Sequence, residues 1–259
     1  RVAGPLARTV HDVALAMATL AQPDVRDATR LPPADIAWSD LPADPQAFLR
    51  GRRIGLLLDA GWGLAAGAET VTAVQDAARR FEAAGAVVEP LRGFTTREMA
   101  DGINLFWRMR SWLDISALPP EKQARVLPYI RDWVAAGATF SAAQVFHGQA
   151  QMAALRDATV AATEPFDFVL SPVAPMVAFG AGLASPTNDP LHAMEHIAFT
   201  LPFNMSGQPA LSVPGAHDAA GLPIGLQISG RLFDDLGVLR CARAWELLRA
   251  PLRPWPRLG

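Results

Sequence analysis

The polar residues best placed to do chemistry lie near the end of the chain, in the stretch FTLPFNMSGQPALSVPG that begins at Phe199. Asn204, Ser206 and Gln208 alternate there with apolar residues or glycine, and Ser212 follows within a short apolar run. A serine becomes a nucleophile when a base activates it, and no His or Lys flanks Ser206 or Ser212. Both serines are therefore interpreted as structural hydrogen-bonding groups. For Asn204, a satisfied buried amide and a contact to substrate stay open as alternatives.

A second group of polar residues, His192, Glu195 and His196, matches the pattern H-x-x-E-H of zinc proteases. Two histidines four residues apart on a helix can share a metal ion, and the glutamate can act as a base. A five-residue match often occurs by chance, and Gly180-Ala181-Gly182 lacks the third glycine of a dinucleotide-binding loop. The sequence therefore predicts no metal site and no cofactor.

The composition restricts the class of protein. Of the 259 residues, 51% are hydrophobic and 19% charged, which is typical of a globular chain with a sizeable core. The formal net charge is -2 and no basic block occurs, which argues against nucleic acid as a partner. No run of about 18 apolar residues occurs, so no membrane span is expected. Cys241 is the lone cysteine, which excludes an internal disulfide and favours a cytoplasmic location.

The hydrophobic pattern and its breakers predict an α/β protein. Short apolar runs predict strands at residues 53–58, 86–89, 167–170, 210–213 and 224–229, with Pro214 closing the fourth. Helical spacing predicts helices at residues 9–21, 71–85, 95–117, 121–136, 141–159, 191–199 and 234–248. Residues 22–49 and 199–208 are predicted as irregular connections. The expected fold is one domain, residues 1–259, with a mixed, largely parallel central sheet covered by helices on both faces.

The stretch from Phe199 to Gly230 resembles the core of a known family. The amidase signature family carries the pattern T-x-P-x-N-x-x-G-x-P-A-x-S-x-P, followed by G-L-P-x-G-x-Q. The matching residues here are Thr200, Pro202, Asn204, Gly207, Pro209, Ala210, Ser212 and Pro214, then Gly221, Leu222, Pro223, Gly225 and Gln227. A match of this length is much more specific than a four-residue motif.

Four further segments are similar to the same family and occur in the family's order. They are residues 4–12 (GPLARTVHD), 53–55 (RIG), 81–88 (FEAAGAVV) and 167–175 (DFVLSPVAP). Because these segments span nearly the whole chain, it is identified as a member of the amidase signature family, similar to that family's C-terminal portion.

The resemblance implies a mixed sheet wrapped by helices and hydrolysis of a carboxamide through an acyl-enzyme. In the family, a Lys activates the Ser nucleophile through a second Ser, and glycine N–H groups of a G-G-S-S-G-G-like loop form the oxyanion hole. This sequence contains no such loop, and its one lysine, Lys122, matches no part of the catalytic pattern. No catalytic residue is therefore assigned. We expect a domain truncated on its N-terminal side and inactive alone, with the missing N-terminal segment of the same protein as its partner; association of identical copies stays open.

The resemblance also indicates which residues form the walls of a substrate pocket for a small-molecule amide. These expected wall residues are Phe106, Trp107, Val173, Met176, Phe199 and Asn204. A largely apolar wall favours an aryl or alkyl amide. The A-type subunits of tRNA-dependent amidotransferases commonly carry an Asp at the position of Ile197, and an apolar side chain cannot pair with an ammonium group. An amide hydrolase is therefore the main interpretation, with an amidotransferase A-type subunit and a catalytically inactive scaffold as the alternatives.

Overall fold

A mixed five-stranded sheet forms the centre of the protein. The computed structural model describes residues 3–27 and 32–251. Within these residues the strands lie in the order β2-β1-β3-β5-β4. Their bounds are β1 Arg53–Leu57, β2 Val87–Leu91, β3 Phe168–Pro172, β4 Ala210–His217 and β5 Pro223–Gly230. β1 pairs in parallel with β2 and β3, whereas β5 is antiparallel to β3 and β4, so β5 alone runs against the other described strands.

The helices follow the predicted alternation with strands. Their bounds are α1 Val10–Leu20, α2 Pro45–Leu49, α3 Ala68–Ala83, α4 Arg97–Ser116, α5 Pro120–Gln123, α6 Pro128–Ala135, α7 Ala142–Thr163, α8 Leu201–Ser206 and α9 Asp235–Leu248. Thr9 caps α1, since its side chain accepts from the Asp12 N–H, and Ser141 caps α7 through a capping box with Gln144. No helix among the described residues is both long and apolar enough to cross a membrane.

Helices cover both faces of the sheet, as the sequence predicts. On one face, Leu226 and Ile228 of β5 belong to a core shared with Phe81 of α3 and Trp245 of α9. The Phe81 and Trp245 rings stack with their centroids 5.8 Å apart. On the other face, Val169 of β3 packs in a second cluster that includes Phe203 of α8. Alternate residues of β3 therefore enter two separate cores, with Phe168 and Leu170 in the first and Val169 in the second.

Two predicted helices are wrong in extent, and proline explains the first. Residues 121–136 form α5 and α6 instead of one helix, because Pro128 has no N–H to donate and begins a new helix at its first position. Residues 191–199 contain only the short 3-10 turns Pro190–His192 and Glu195–Ile197. Residues 28–31 of the predicted connection 22–49 lie outside the described residues.

The stretch after Phe199 also differs from its predicted form. Residues 201–206 form α8 instead of an irregular loop, and the helix ends at Gly207, whose φ of 74° is the left-handed conformation that glycine adopts readily. Strand β4 does not stop at Pro214 but continues to His217, with a register irregularity between Pro214 and Ala216. Proline is tolerated there because β4 is an edge strand, where one side of the backbone needs no ladder partner.

Candidate functional site

A groove follows the edge strand β4. It encloses about 740 Å³. Residues 3–10 and α9 form one bank, Val173 and α8 form the other, and the floor is Ala210 to Pro214 of β4. The groove therefore wraps around the open edge of the sheet and reaches both of its faces.

The hydrogen-bonding pattern of β4 leaves backbone groups directed into this groove. The Gly230 N–H donates to the Pro209 carbonyl over 3.0 Å, which fixes the alternation of the antiparallel pair. Ala210 and Ser212 consequently direct their N–H and C=O groups away from β5, towards the open edge. Pro214 belongs to the same outward set, and its carbonyl accepts the Trp245 indole N–H over 2.9 Å. Within residues 3–27 and 32–251, no further strand pairs with this outward side of β4, so the floor of the groove is an open strand edge.

A polar row crosses the sheet beneath the second bank of the groove. Ser171, Gln227 and Ser212 face one another in neighbouring strands β3, β5 and β4. Gln227 is 4% exposed, and its Nε2 donates to Ser171 Oγ and to the Phe199 carbonyl, each over 2.9 Å. Because a carbonyl only accepts, the Phe199 contact fixes the orientation of the Gln227 amide. Gln227 therefore joins β3, β5 and the segment that leads into α8.

Gly225 allows the banks of the groove to approach the sheet. A Cβ atom at Gly225 would lie 2.8 Å from Val173 Cγ2 and 3.2 Å from Ser212 Oγ. Any side chain at this position would displace Val173, since real Cβ contacts are not that short. The glycine of the G-L-P-x-G-x-Q pattern is thus needed for the shape of the groove.

The structure brings two of the expected wall residues together. Val173 and Asn204 both line the groove. The Asn204 amide is exposed, and its Nδ2 donates to the Thr200 carbonyl over 3.1 Å, so the interpretation as a buried amide is wrong. Phe199 is 1% exposed and lies in the second core. Local spacing could not reveal this burial, because it depends on how α8 packs on the sheet.

The remaining expected wall residues lie away from the groove. Phe106 and Trp107 are partly buried on α4, and Met176 is partly buried in the connection after β3. Trp107 packs against an apolar cluster built on Ile103, Leu155 and Leu201. The same cluster also contacts the partly buried side chains of Trp62, Met99, Met152, Ile197 and Met205.

The structural interpretation of Ser206 is confirmed. Its hydroxyl donates to the Phe203 carbonyl over 3.4 Å and accepts the Gln208 N–H over 3.3 Å, which closes the end of α8. Ser212 is exposed on the floor of the groove. The sequence pattern alone does not indicate the role of Gln227, which holds β3 and the segment before α8 by hydrogen bonds. Its signal is a glutamine between the apolar residues Leu226 and Ile228 in a buried strand.

The H-x-x-E-H residues do not share a helix. His192 and His196 belong to two separate 3-10 turns. His192 Nδ1 lies 2.8 Å from Asp189 Oδ2, and Glu195 pairs with Arg97 at 2.9 Å. Within residues 3–27 and 32–251, no three His, Cys, Asp or Glu side chains are grouped closely enough to hold a metal ion. Burial lowers the pKa of His196, which favours its neutral form.

Comparison with known proteins agrees with this architecture. The amidase family model matches residues 1–239, so the chain belongs to the amidase family, as the resemblance predicts. The A-type subunit of glutamyl-tRNA(Gln) amidotransferase from Myxococcus xanthus is 33% identical over 94% of this chain and 54% of that relative. The corresponding protein of a Synechococcus strain is 28% identical over 94% of this chain and 53% of its own length. The chain thus spans about half the length of the curated relatives it matches.

Solved structures show the same fold. A bacterial aryl acylamidase of the amidase signature enzymes has a TM-score of 0.80 at 26% identity, over 95% of this chain and 52% of that chain. The A-type subunit of glutamyl-tRNA(Gln) amidotransferase from Thermotoga maritima has a TM-score of 0.69 at 22% identity, over 93% of this chain and 51% of that chain. Both likenesses extend over nearly the whole chain, so the amidase-signature fold and the mixed α/β class are confirmed.

The Gln227 amide is expected to stabilise the site. We expect Gln227→Met, which keeps the side-chain length but removes both N–H donors, to lower the free energy of unfolding by about 2 kcal/mol, because the buried Phe199 carbonyl loses its partner. Urea unfolding followed by circular dichroism measures this change. Gln46→Met on the exposed face of α2 is the matched control. Equal stability of Gln227→Met and the wild type would contradict the anchoring role.

Proposed function

We propose that this chain forms part of an amide hydrolase of the amidase signature family. Its residues belong to one domain, the amidase-signature domain. The chain supplies the scaffold and walls of the substrate pocket. The Ser nucleophile, the bridging Ser and the Lys base lie in a preceding part of the same protein. The observation that carries the proposal is the open edge of β4 within a groove of about 740 Å³.

The form of the groove supports a segment of protein as its occupant. An unpaired strand edge is a template for another extended strand, and main-chain hydrogen bonds supply much of the affinity in such additions. The outward groups of Ala210 and Ser212 provide donors and acceptors for one. Residues 3–8 run along one bank without helix or strand, and Leu6 is 101% exposed. An exposed leucine beside an unpaired strand edge fits a surface that another part of the protein covers.

The proposed chemistry follows from the family resemblance. The Ser oxygen attacks the amide carbonyl carbon while the base takes its proton, and collapse of the tetrahedral intermediate releases the amine with a returned proton. Water then hydrolyses the acyl-enzyme and regenerates the serine. Every group that forms or breaks a bond comes from outside this chain, so the chain alone is inactive. The pocket walls proposed on this chain are Val173 and Asn204, which line the groove, with Phe106, Trp107 and Met176 outside it. Phe199 is excluded from the walls, because its side chain is buried in the second core.

The apolar surroundings of Ile197 favour a substrate that carries an aryl or alkyl group there. The Ile197 side chain packs against the apolar cluster of Ile103, Leu155 and Leu201. A substrate ammonium group placed there would lose its hydration without gaining a carboxylate partner from Ile197. This supports an aryl or alkyl amide over glutamine.

A second candidate function is that of an amidotransferase A-type subunit with further protein partners. The observation in its favour is that the curated relatives are named as A-type subunits of glutamyl-tRNA(Gln) amidotransferase. Ile197 is the feature against it, because the carboxylate expected to recognise the glutamine ammonium group is replaced by an apolar side chain.

Covalent labelling tests where the nucleophile lies. We expect a fluorophosphonate probe to label one serine of the complete protein outside these 259 residues and to leave this chain unlabelled when it is produced alone. Peptide mass spectrometry locates the label. A labelled serine within the chain would contradict the proposal, and a complete protein without any labelled serine would favour the inactive scaffold.

A proline at the strand edge tests the occupant of the groove. The chain produced alone is expected to self-associate through the exposed edge, and Ser212→Pro is expected to weaken this association about tenfold, since it removes an outward N–H donor. Ser212→Ala keeps the N–H group and is the control. Light scattering after size-exclusion chromatography measures the association. A well-folded monomeric wild-type chain would contradict the idea that this edge lacks its partner.

Substrate preference separates the two candidate functions. For the complete protein, we expect kcat/KM to be at least about tenfold higher for an aryl or alkyl amide than for glutamine, a difference of about 1.4 kcal/mol in transition-state binding. Steady-state ammonia release from each amide gives the comparison. A preference for glutamine would support the amidotransferase role instead.

A further inference from the structure

The connection between β3 and the turn Pro190–His192 is a long irregular segment next to the groove. Residues 173–189 contain no helix or strand, and their first residue, Val173, lines the groove. In α/β proteins, ligands bind beyond the carboxyl ends of the strands, and long irregular loops of compact domains are usually functional. The segment therefore lies where a substrate-contacting loop is expected.

A buried serine fixes the later part of this segment. Residues 178–184 are all exposed, whereas Ser185 is 1% exposed. Ser185 Oγ lies 2.8 Å from the hydroxyl oxygen of Tyr129 on α6, and the same hydroxyl also hydrogen-bonds to the Asp189 carbonyl over 3.1 Å. One hydroxyl serves both contacts because it is both a donor and an acceptor. Tyr129 thus holds two points of the segment at once.

Local hydrogen bonds make this end of the segment a defined unit. Thr187 Oγ1 lies 3.2 Å from Ser185 Oγ. The Asp189 carboxylate accepts the Leu191 N–H over 2.9 Å and lies 2.8 Å from His192 Nδ1. The Leu191 N–H bond and the His192 contact lower the pKa of Asp189, which keeps its carboxylate ionised. The network gives Tyr129 a preformed structure to hold.

The other end of the segment is fixed separately, and the part between carries apolar side chains. The Gly67 N–H donates to the Pro175 carbonyl over 2.8 Å. Phe179 and Leu183 are each 41% exposed. The Phe179 ring meets the His196 ring edge-on, with centroids 6.1 Å apart. The segment therefore presents exposed apolar groups from an arm that is attached at both ends.

We propose that Tyr129 is a positioning residue that determines substrate specificity by fixing the 173–189 segment, so that Phe179 and Leu183 contact the apolar part of a bulky amide. This inference rests on the proposed amide hydrolase function. Without the hydroxyl, the arm loses its attachment to α6. Binding of bulky apolar amides then weakens, whereas the chemical step, performed by groups elsewhere, is retained.

Tyr129→Phe tests the attachment in the chain itself. We expect amide hydrogen exchange in residues 177–189 to become about fivefold faster, the factor that corresponds to loss of about one hydrogen bond. Ser185→Ala removes the other hydroxyl and should give the same result. Thr139→Val is the control, because the Thr139 hydroxyl donates to the nearby Ala136 carbonyl, outside the 173–189 segment. Unchanged exchange in both test variants would overturn the attachment.

Kinetics of the complete protein test the specificity. We expect Tyr129→Phe to raise KM for a bulky aryl amide about fivefold, with kcat within about twofold and KM for acetamide unchanged. Equal KM values for wild type and variant on the aryl amide would overturn the specificity role. A complete protein that hydrolyses no amide would contradict the proposed function, and the exchange experiment would still decide whether Tyr129 holds the segment.

Discussion

The outer backbone edge of β4, which pairs with no other strand in the part of the chain that the structure describes, is the constraint on which the rest of the structure depends. A strand edge must bond to water or to another strand, and long exposed edges are rare in isolated folded proteins. The Gly230 N–H bond to the Pro209 carbonyl sets which β4 groups face outward, and Ala210 and Ser212 fall in that set. The groove, its extended N-terminal bank and the exposed side chains beside it all surround this edge. The proposed role of the chain as one part of a larger amidase domain follows from the need to cover it.

Helix α8 and the irregular loop of residues 173–189, which both come after β3 in the chain, are held by different kinds of contact. The buried Gln227 amide donates to Ser171 of β3 and to the Phe199 carbonyl at the entry of α8, so the α8 bank is tied to the central strands. The irregular loop after β3 is ordered instead by a few polar contacts. Ser185 is buried there because α6 brings Tyr129 to it, although the residues before it are exposed. Helix α6, which lies between β2 and β3 in the chain, thus holds this loop through Tyr129.

Local sequence features determined the parts of this fold that depend on neighbouring residues. Thr9, Ser141 and Asp234 cap the helices that follow them, and the turn at Gly221 joins two strands, because caps and turns are formed within a few residues. The long family pattern from Thr200 to Gln227 likewise indicated the family. The single helix predicted at residues 121–136 is wrong, since the effect of Pro128 on helix extent depends on whether the flanking turns can restart a helix.

Only the tertiary structure decided which polar residues meet. Gln227 lies next to Ser171 and Phe199 because strand order and register place them together, and none of these is visible in the local pattern. Asn204 is exposed because α8 docks on the sheet with its other face inward, and Phe199, just before the helix, is buried in the same cluster as Phe203 of α8. Contacts between residues far apart in the chain follow from the topology of the fold, which hydrophobic periodicity and secondary-structure propensity do not specify.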